Sequence, residues 1–479
     1  MRMQSSFLSE EERRIIHADS MKILEEIGVK FPSEQVLALL AAGGAKVDND
    51  RQVAYISEVM VKKAIAAAPK TLTLGARNPE FDFKMPSSFS GYNLDGCGVN
   101  VLDFNTGSRR PAVLSDVADA ARIFDEMDLG YVHWSPVSPR DVPSESVGMT
   151  ITATSLMNTA KHVQDEVQEM AEVPFIMAMI KAIMGEKKSY RDRCVYSVTY
   201  CTVAPLCHDE AMLESNIALS AFGVPIMIYP MPACGTTGPA SLYSNIAMAN
   251  AESLSALVAF QLASPGAPII LGAALGVVNV RSGIFLEGTP ETVLQIGAMG
   301  DMARFYGLPN TTAGCLTDAK APGMQSVLEK TLTTLPLVLS GADIIQGIGL
   351  IESSTTLCYE HLVIDNEIAH LCKRIKDGVD VDAAKNYFSD IREVGQGGHF
   401  LKQKTTRSAF RSEEFYQSIL CDRNTYDEWA QLGRPDLIQN SRLKVAEILS
   451  GESKNPMPDD MTKQMKEIIA EAARKLGEA

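Results

Sequence analysis

Short apolar runs recur through the middle of the chain, each bounded by turn residues. They fall at 91–96, 131–137, 162–167, 194–199, 225–230, 268–275, 310–315 and 342–347. Segments with helical spacing follow most of them, as at 209–222, 239–263, 290–306 and 323–339. Gly223, Pro265-Gly266 and Gly307 punctuate the units. An uninterrupted apolar run is the signature of a strand buried on both faces, and a covering helix completes the βα unit of a parallel sheet. Eight such alternations over roughly 280 residues predict an α/β fold of the TIM (β/α)8 barrel type. A doubly wound open sheet is the alternative. Neither GxGxxG nor GxxxxGKS/T follows a strand, which removes the two commonest nucleotide-binding motifs.

The two ends read differently. Ser9-Glu10-Glu11-Glu12 fits a capping box, and Ile16, Ile23, Leu24 and Ile27 then share one helical face up to Gly28. Ser33 and Ser57 open two more helices. Residues 1–85 are therefore expected to form an N-terminal helical cap, 86–380 the barrel, and 381–479 a C-terminal helical extension. A hairpin is expected at 99–104 and 110–114, around Asn105-Thr106-Gly107. A helix is expected at 366–375, after the eighth strand. The last helix, 459–476, puts Met461, Met465, Ile468, Ile469, Ala472 and Leu476 on one face. That face suits the barrel or a second subunit. Packing within the chain is the plainer expectation, and a homo-oligomer stays possible.

Composition narrows the classes. With 59 acidic against 44 basic residues the formal charge is −15, and no basic footprint for nucleic acid is present. The nine cysteines are odd in number, scattered and without a CxxC, so a disulfide framework is not expected and a reducing cytoplasm is. Met1 to Ser6 carries no apolar signal-peptide core. The most apolar region, 254–274, is interrupted by Ser264-Pro265-Gly266, so no membrane span is expected.

Chemistry-bearing candidates gather at strand ends. None of the seven histidines forms HxH or HExxH, and adjacent Cys207-His208 suits no tetrahedral metal, so no metal site is expected. There is no GxSxG, and a lone strand-end thiol such as Cys315 is more simply a buried cysteine than a nucleophile. Aromatics are scarce at 6%, yet Tyr92, Trp134, Tyr200 and Tyr229 fall at or near strand ends, where ring faces can hold a cation. Ordinary packing explains each one alone equally well. Gly235 to Gly238, before Pro239 at a helix start, offer backbone amides to a carboxylate. A plain loop is the bland alternative. Arg281 is a second carboxylate partner. Lys320 lies in the loop after the seventh strand and suits anion contact or solvent better than a Schiff base, which barrel lysines usually form from within a strand. Gln346 ends the eighth strand and joins the substrate-binding candidates, as does His361 beyond it.

Several segments carry a resemblance. They are Gly235-Thr236-Thr237-Gly238-Pro239, Arg281-Ser282-Gly283, Gly288-Thr289-Pro290-Glu291 and Thr317-Asp318-Ala319-Lys320. Gly341-Ala342-Asp343, Glu360-His361-Leu362-Val363-Ile364-Asp365 and Gly397-Gly398-His399-Phe400-Leu401 follow. So do Arg411-Ser412-Glu413, Asp422-Arg423 and Trp429. In order and spacing they resemble the trimethylamine methyltransferase family of corrinoid-dependent methyltransferases, over essentially the whole chain. The resemblance implies a TIM barrel and methyl transfer from a methylated amine to Co(I) of a separate, cognate corrinoid protein. The corrinoid (cobalamin) would arrive on that partner. Members acting on trimethylamine carry pyrrolysine, whereas this sequence has only standard residues. That points to the members that demethylate quaternary amines, with glycine betaine as first expectation and proline betaine, carnitine and γ-butyrobetaine as alternatives. Tyr92, Tyr200 and Tyr229 would then hold the cation, and Arg281, His361 or the Gly235–Gly238 backbone the carboxylate. A barrel lyase or aldolase working through Lys320, and a quaternary-amine binding protein without turnover, are the competing classes.

Overall fold

Every one of the eight apolar runs becomes a strand of one parallel sheet. The computed structural model describes residues 5–477. Residues 1–4, part of the stretch read above as lacking a signal, lie outside the described residues. The strands are β1 (Gly91–Asn93), β2 (Gly130–Trp134), β3 (His162–Asp165) and β4 (Tyr196–Cys201), then β5 (Ile226–Tyr229), β6 (Ile269–Leu271), β7 (Thr311–Ala313) and β8 (Ile344–Gln346). They pair in sequence from β1 to β6, β7 pairs with β8, and β8 returns to β1. A parallel bridge from Leu271 to Asn310 joins β6 to the entry of β7 and closes the ring. The fold is a TIM barrel, and closure excludes the open sheet. All four residues of β5 are buried, which is why these strands read as apolar runs rather than alternations.

A helix follows each strand: α1 (Leu114–Asp125), α2 (Val147–Asn158), α3 (Val173–Met184), α4 (Glu210–Ala221), α5 (Leu242–Ala263), α6 (Pro290–Phe305), α7 (Met324–Ser340) and α8 (Tyr359–Asp377). Helix α5 begins at Leu242 rather than at Pro239, because Ser241 Oγ accepts from Ser244 N and serves as its N-cap. Helix α8 starts well ahead of residue 366. At 22 residues α5 is long and apolar enough to cross a membrane, but 89% of its most apolar window is buried inside the protein. It is a core helix, lying between the barrel and the N-terminal segment.

The N-terminal segment has the expected capping box, with Ser9 N donating to Glu12 Oε2 at 2.7 Å. It is not purely helical, however. It also contains a small antiparallel sheet (Val29–Lys30, Lys46–Asp48, Val53–Tyr55) and a hairpin of Leu72–Leu74 with Phe83–Met85. Strands of two or three residues are too short to show a period of two. At the other end, helix Asp459–Leu476 packs on α2 and α3 of its own chain, with Met465 and Ala472 fully buried. Helix Leu437–Ser450 packs on α1 and α8. Arg122 of α1 donates to the carbonyls of Ile448 (3.2 Å) and Gly451 (2.6 Å), satisfying the orphan C-terminal acceptors of that helix.

One buried network ties the last two βα units together. Lys330 of α7 and Asp365 of α8 are both fully buried and meet at 2.7 Å. Lys330 Nζ also donates to Cys315 O at 2.7 Å and to Gly347 O, the residues that follow β7 and β8. Asp365 accepts from Gly349 N at 2.8 Å and contacts His361 Nδ1 at 3.0 Å. Burial by itself raises the Asp365 carboxyl, but Lys330 and His361 outweigh it, so the group titrates below the ordinary range. Asp365→Ala strands a buried ammonium and is expected to cost about 3–5 kcal/mol. Urea unfolding at neutral pH measures it. Replacing both partners, Lys330→Met with Asp365→Leu, is expected to cost less than the single change.

Candidate active site

The C-terminal ends of barrel strands are where side chains from different units converge. Inside the barrel the inward residues form a polar belt. Asn93 Nδ2 donates to Gln164 Oε1 (2.9 Å), Gln164 Nε2 to Ser197 Oγ (3.0 Å), and Thr311 Oγ1 to Gln346 Oε1 (3.1 Å). At the C-terminal mouth lies a cavity of about 270 Å³. Asp95 and Cys97 reach it from the loop after β1, and Tyr229 from the end of β5. Met231, Ala233, Ala274, Phe285 and Glu287 come from the loops after β5 and β6, and Ser353 and Ser354 from the loop after β8. A larger cavity, about 780 Å³, opens at the opposite end beside Phe89, Asn310 and Asp343. That end carries the strand entries, where conserved geometry serves stability rather than chemistry.

The mouth is roofed by a small sheet. Ala233–Cys234 pairs with Gly276–Val278, which pairs with Phe285–Leu286. A Cβ at Gly276 would lie 2.3 Å from the Phe285 ring, so only glycine there lets that ring face the cavity. The opposite wall is a turn in which Glu352, Ser353 and Ser354 all have left-handed φ of 59°, 52° and 58°. Each such residue costs on the order of 1–2 kcal/mol. What the turn gains is aim: Ser353 Oγ donates to Asp318 Oδ1 at 2.8 Å and Ser354 Oγ to Glu287 Oε2 at 2.6 Å.

Acidic groups dominate. Asp318 also accepts from the amides of Glu287 (2.9 Å) and Gly288 (3.2 Å), which fixes the Glu287 backbone over the cavity. Burial, then the neighbouring Asp95, pushes the Glu287 carboxyl up to about 8. Asp95 is raised by burial too; hydrogen bonds from Cys97, Ser354 and Gly96 work against this, and Glu166 adds to it. At the end of β3, burial pushes Asp165 up to about 8. Cys97 is no ready thiolate, because Asp95 and burial raise it. Tyr229 is 1% exposed, its hydroxyl has no hydrogen-bond partner, and the Trp134 ring stands edge-on to it at 6.3 Å. None of the residues lining the cavity is Lys, Arg or His. An acidic, aromatic-walled pocket of this size can hold a small organic cation. Among the described residues no group of three or more His, Cys, Asp or Glu is placed to hold a metal ion.

Of the residues singled out from the sequence, Tyr229 lines the cavity and Gln346 lies in the belt within the barrel. The others sit elsewhere. Tyr200 is on the outer face of β4, its hydroxyl 2.8 Å from His208 Nδ1 and its ring against Phe260 of α5. Tyr92 alternates with inward Asn93 and lies near Cys372 of α8. The amides of Gly235, Thr236 and Gly238 are spent within their own turn, on Gly238 O (2.9 Å) and Ala233 O (3.0 Å). Arg281 is exposed on the roof hairpin, and exposed Lys320 donates to Asp318 O. His361 is held by Asp365 and by Ser326 Oγ at 2.9 Å. Cys315 is fully buried and its thiol is raised by burial. The carboxylates escaped the sequence reading. Strand-end position, applied to acids as well as to aromatics and bases, picks out Asp95, Asp165 and Glu166. No comparable signal marks Glu287, far beyond β6 on the roof.

A closed (β/α)8 barrel with a charged cavity at its C-terminal mouth is the architecture of an enzyme. Residues 2–477 match the trimethylamine methyltransferase (MTTB) family, and the chain belongs to that methyltransferase family. The trimethylamine methyltransferase MttB of Desulfitobacterium hafniense is 30% identical over 98% of this chain and 95% of its own length. The glycine betaine methyltransferase of Desulfitobacterium hafniense strain Y51 is also 30% identical, over 99% of this chain and 98% of its own. Among solved structures, the monomethylamine methyltransferase (MtmB) of Methanosarcina barkeri aligns over 99% of this chain and 95% of its own, at 12% identity and a TM-score of 0.46.

Two measurements test the cavity. Tyr229→Leu is expected to weaken tetramethylammonium binding by about 1–2 kcal/mol, while Tyr200→Phe leaves it unchanged. Calorimetric titration compares them, and an unaltered affinity in Tyr229→Leu removes that ring from the site. Because Glu287 holds its proton up to about pH 8, its charge grows as pH rises through that value. Tetramethylammonium is therefore expected to bind more tightly at about pH 9 than at about pH 6.5, and the dependence should flatten in Glu287→Gln.

Proposed function

We propose that this chain moves a methyl group from a quaternary amine to the Co(I) corrinoid carried by a separate protein. The observation that supports this best is the match to the methyltransferase family over 2–477, joined to an acidic, aromatic-walled cavity at the barrel mouth. Relatives are named for trimethylamine and for glycine betaine, so methylated amines are the donor class to expect. The corrinoid supplies a strong nucleophile, and as methyl acceptor it counts as a substrate of this chain.

The reaction asks little covalent chemistry of the protein. The methyl carbon is attacked in line, the C–N bond breaks, and its electron pair stays on nitrogen. Since a quaternary nitrogen already carries the positive charge, it leaves as a neutral tertiary amine without a proton donor. Asp95 and Glu287 serve capture: they attract the cation in the ground state, which lowers the substrate concentration needed but not the chemical barrier. Orientation by the Tyr229, Phe285 and Met231 walls, and exclusion of water by the roof, address the barrier. When the charge leaves nitrogen the acids lose their grip, so the product departs more easily than the substrate.

The test is an anoxic absorbance assay. The protein is mixed with a Co(I) corrinoid protein of proven competence, and quaternary amines are added singly. Methylation of the corrinoid with at least one of them, together with release of the matching tertiary amine, is the expected result. No methylation with any quaternary amine overturns the proposal.

A further inference from the structure

The charge within the cavity separates two kinds of quaternary amine. Betaines carry a carboxylate on the tail; monocations do not. We infer that the donor accepted here is a monocationic quaternary ammonium with an uncharged, hydrogen-bonding tail, rather than a zwitterionic betaine. This rests on the reading above that the cavity at the mouth holds the methyl donor.

A betaine needs two poles: acids or rings for its nitrogen and a cation or free amides for its carboxylate. Among the described residues, those lining the cavity supply only the first. Asp95 and Glu287 line it, and Asp318 and Glu166 stand behind them. The nearby basic groups are committed elsewhere. Lys330 is sealed against Asp365 and two carbonyls. His361 lies between Asp365 and Ser326, and Arg281 and Lys320 are exposed outside the cavity. Backbone donors fare no better. The Gly235 and Gly238 amides close their own turn, and those of Glu287 and Gly288 belong to Asp318. A tail carboxylate in about 270 Å³ would lie among acidic groups with no Lys, Arg or His in the lining to balance its charge.

An uncharged polar tail finds what a carboxylate lacks. A hydroxyl can donate to Glu287 or Asp95, the acceptors at hand. Tyr229 Oη, buried at the cavity wall without a partner, can also bond such a hydroxyl. Charge also balances. Two neighbouring buried carboxyls that share one proton carry a single negative charge between them, which a monocation cancels. A zwitterion leaves it standing.

Three probes on the full chain test the inference by calorimetry and in the corrinoid assay: choline, glycine betaine and tetramethylammonium. Choline is expected to bind at least about ten-fold more tightly than glycine betaine and to serve as methyl donor. Glycine betaine binding as tightly as choline, or tighter, overturns the inference; if it then donates its methyl group, the proposed function stands. If no probe binds or donates, the inference falls, and methylation by another quaternary amine in the wider series decides whether the proposed function stands. At about pH 9, above the titration of Glu287, Glu287→Gln should weaken choline several-fold and leave glycine betaine unchanged or tighter, whereas equal losses count against selection by charge. Tyr229→Phe keeps the ring and removes the hydroxyl, so it should weaken choline and spare tetramethylammonium. Equal behaviour of those two probes removes the hydroxyl contact.

Discussion

Lys330 and Asp365 meet with no exposed surface between α7 and α8, and the mouth of the barrel inherits its shape from that contact. Taking two charges out of water costs several kcal/mol each, and only good geometry with every remaining donor and acceptor satisfied recovers it. Here the surplus bonds run to Cys315, Gly347 and Gly349, the residues at which two loops leave the barrel. Those loops carry Asp318 and the Glu352–Ser354 turn. A shift of either helix would move both walls of the cavity, so the ion pair serves as a register pin more than as a source of stability.

Beyond that pin the structure spends stability to place charge. Three consecutive left-handed residues, none of them glycine, sit beside Asp95 and Glu287, two carboxyls raised by burial. Strained backbone and unpaired buried acids both break local rules, and such breaks gather where function needs them. A bound cation relieves the electrostatic part. The cavity is therefore shaped by surrounding structure that overrules its own local preferences.

Methyl transfer from a quaternary nitrogen suits this arrangement because it needs a place more than a reagent. In the reaction proposed, the acids would attract the substrate and release the neutral product, while the roof built on Gly276 and Phe285 keeps the pocket narrow. What distinguishes one methylated amine from another is then the far end of the molecule, where the presence or absence of a positive partner matters most.

Much of the fold was legible because its signals are local. Strands buried on both faces leave apolar runs, Gly and Pro mark the turns between units, and Ser9 with Glu12 announces a helix within four residues. Ordered short motifs likewise carried the family. Facing direction was not legible. Tyr200 and Tyr229 both end apolar runs, yet pairing sets Cys201 opposite Tyr229 and Tyr200 opposite Ile228, so one ring turns to the cavity and the other to α5. Strand β5, four residues without alternation, carries no record of which face is inside. Nor does the sequence show that Asp95, Glu287 and Ser354, drawn from three separate loops, share one cavity with Asp318 of a fourth loop behind it. Only closure of the barrel brings those loops to the same end, and only there does their charge become a single field.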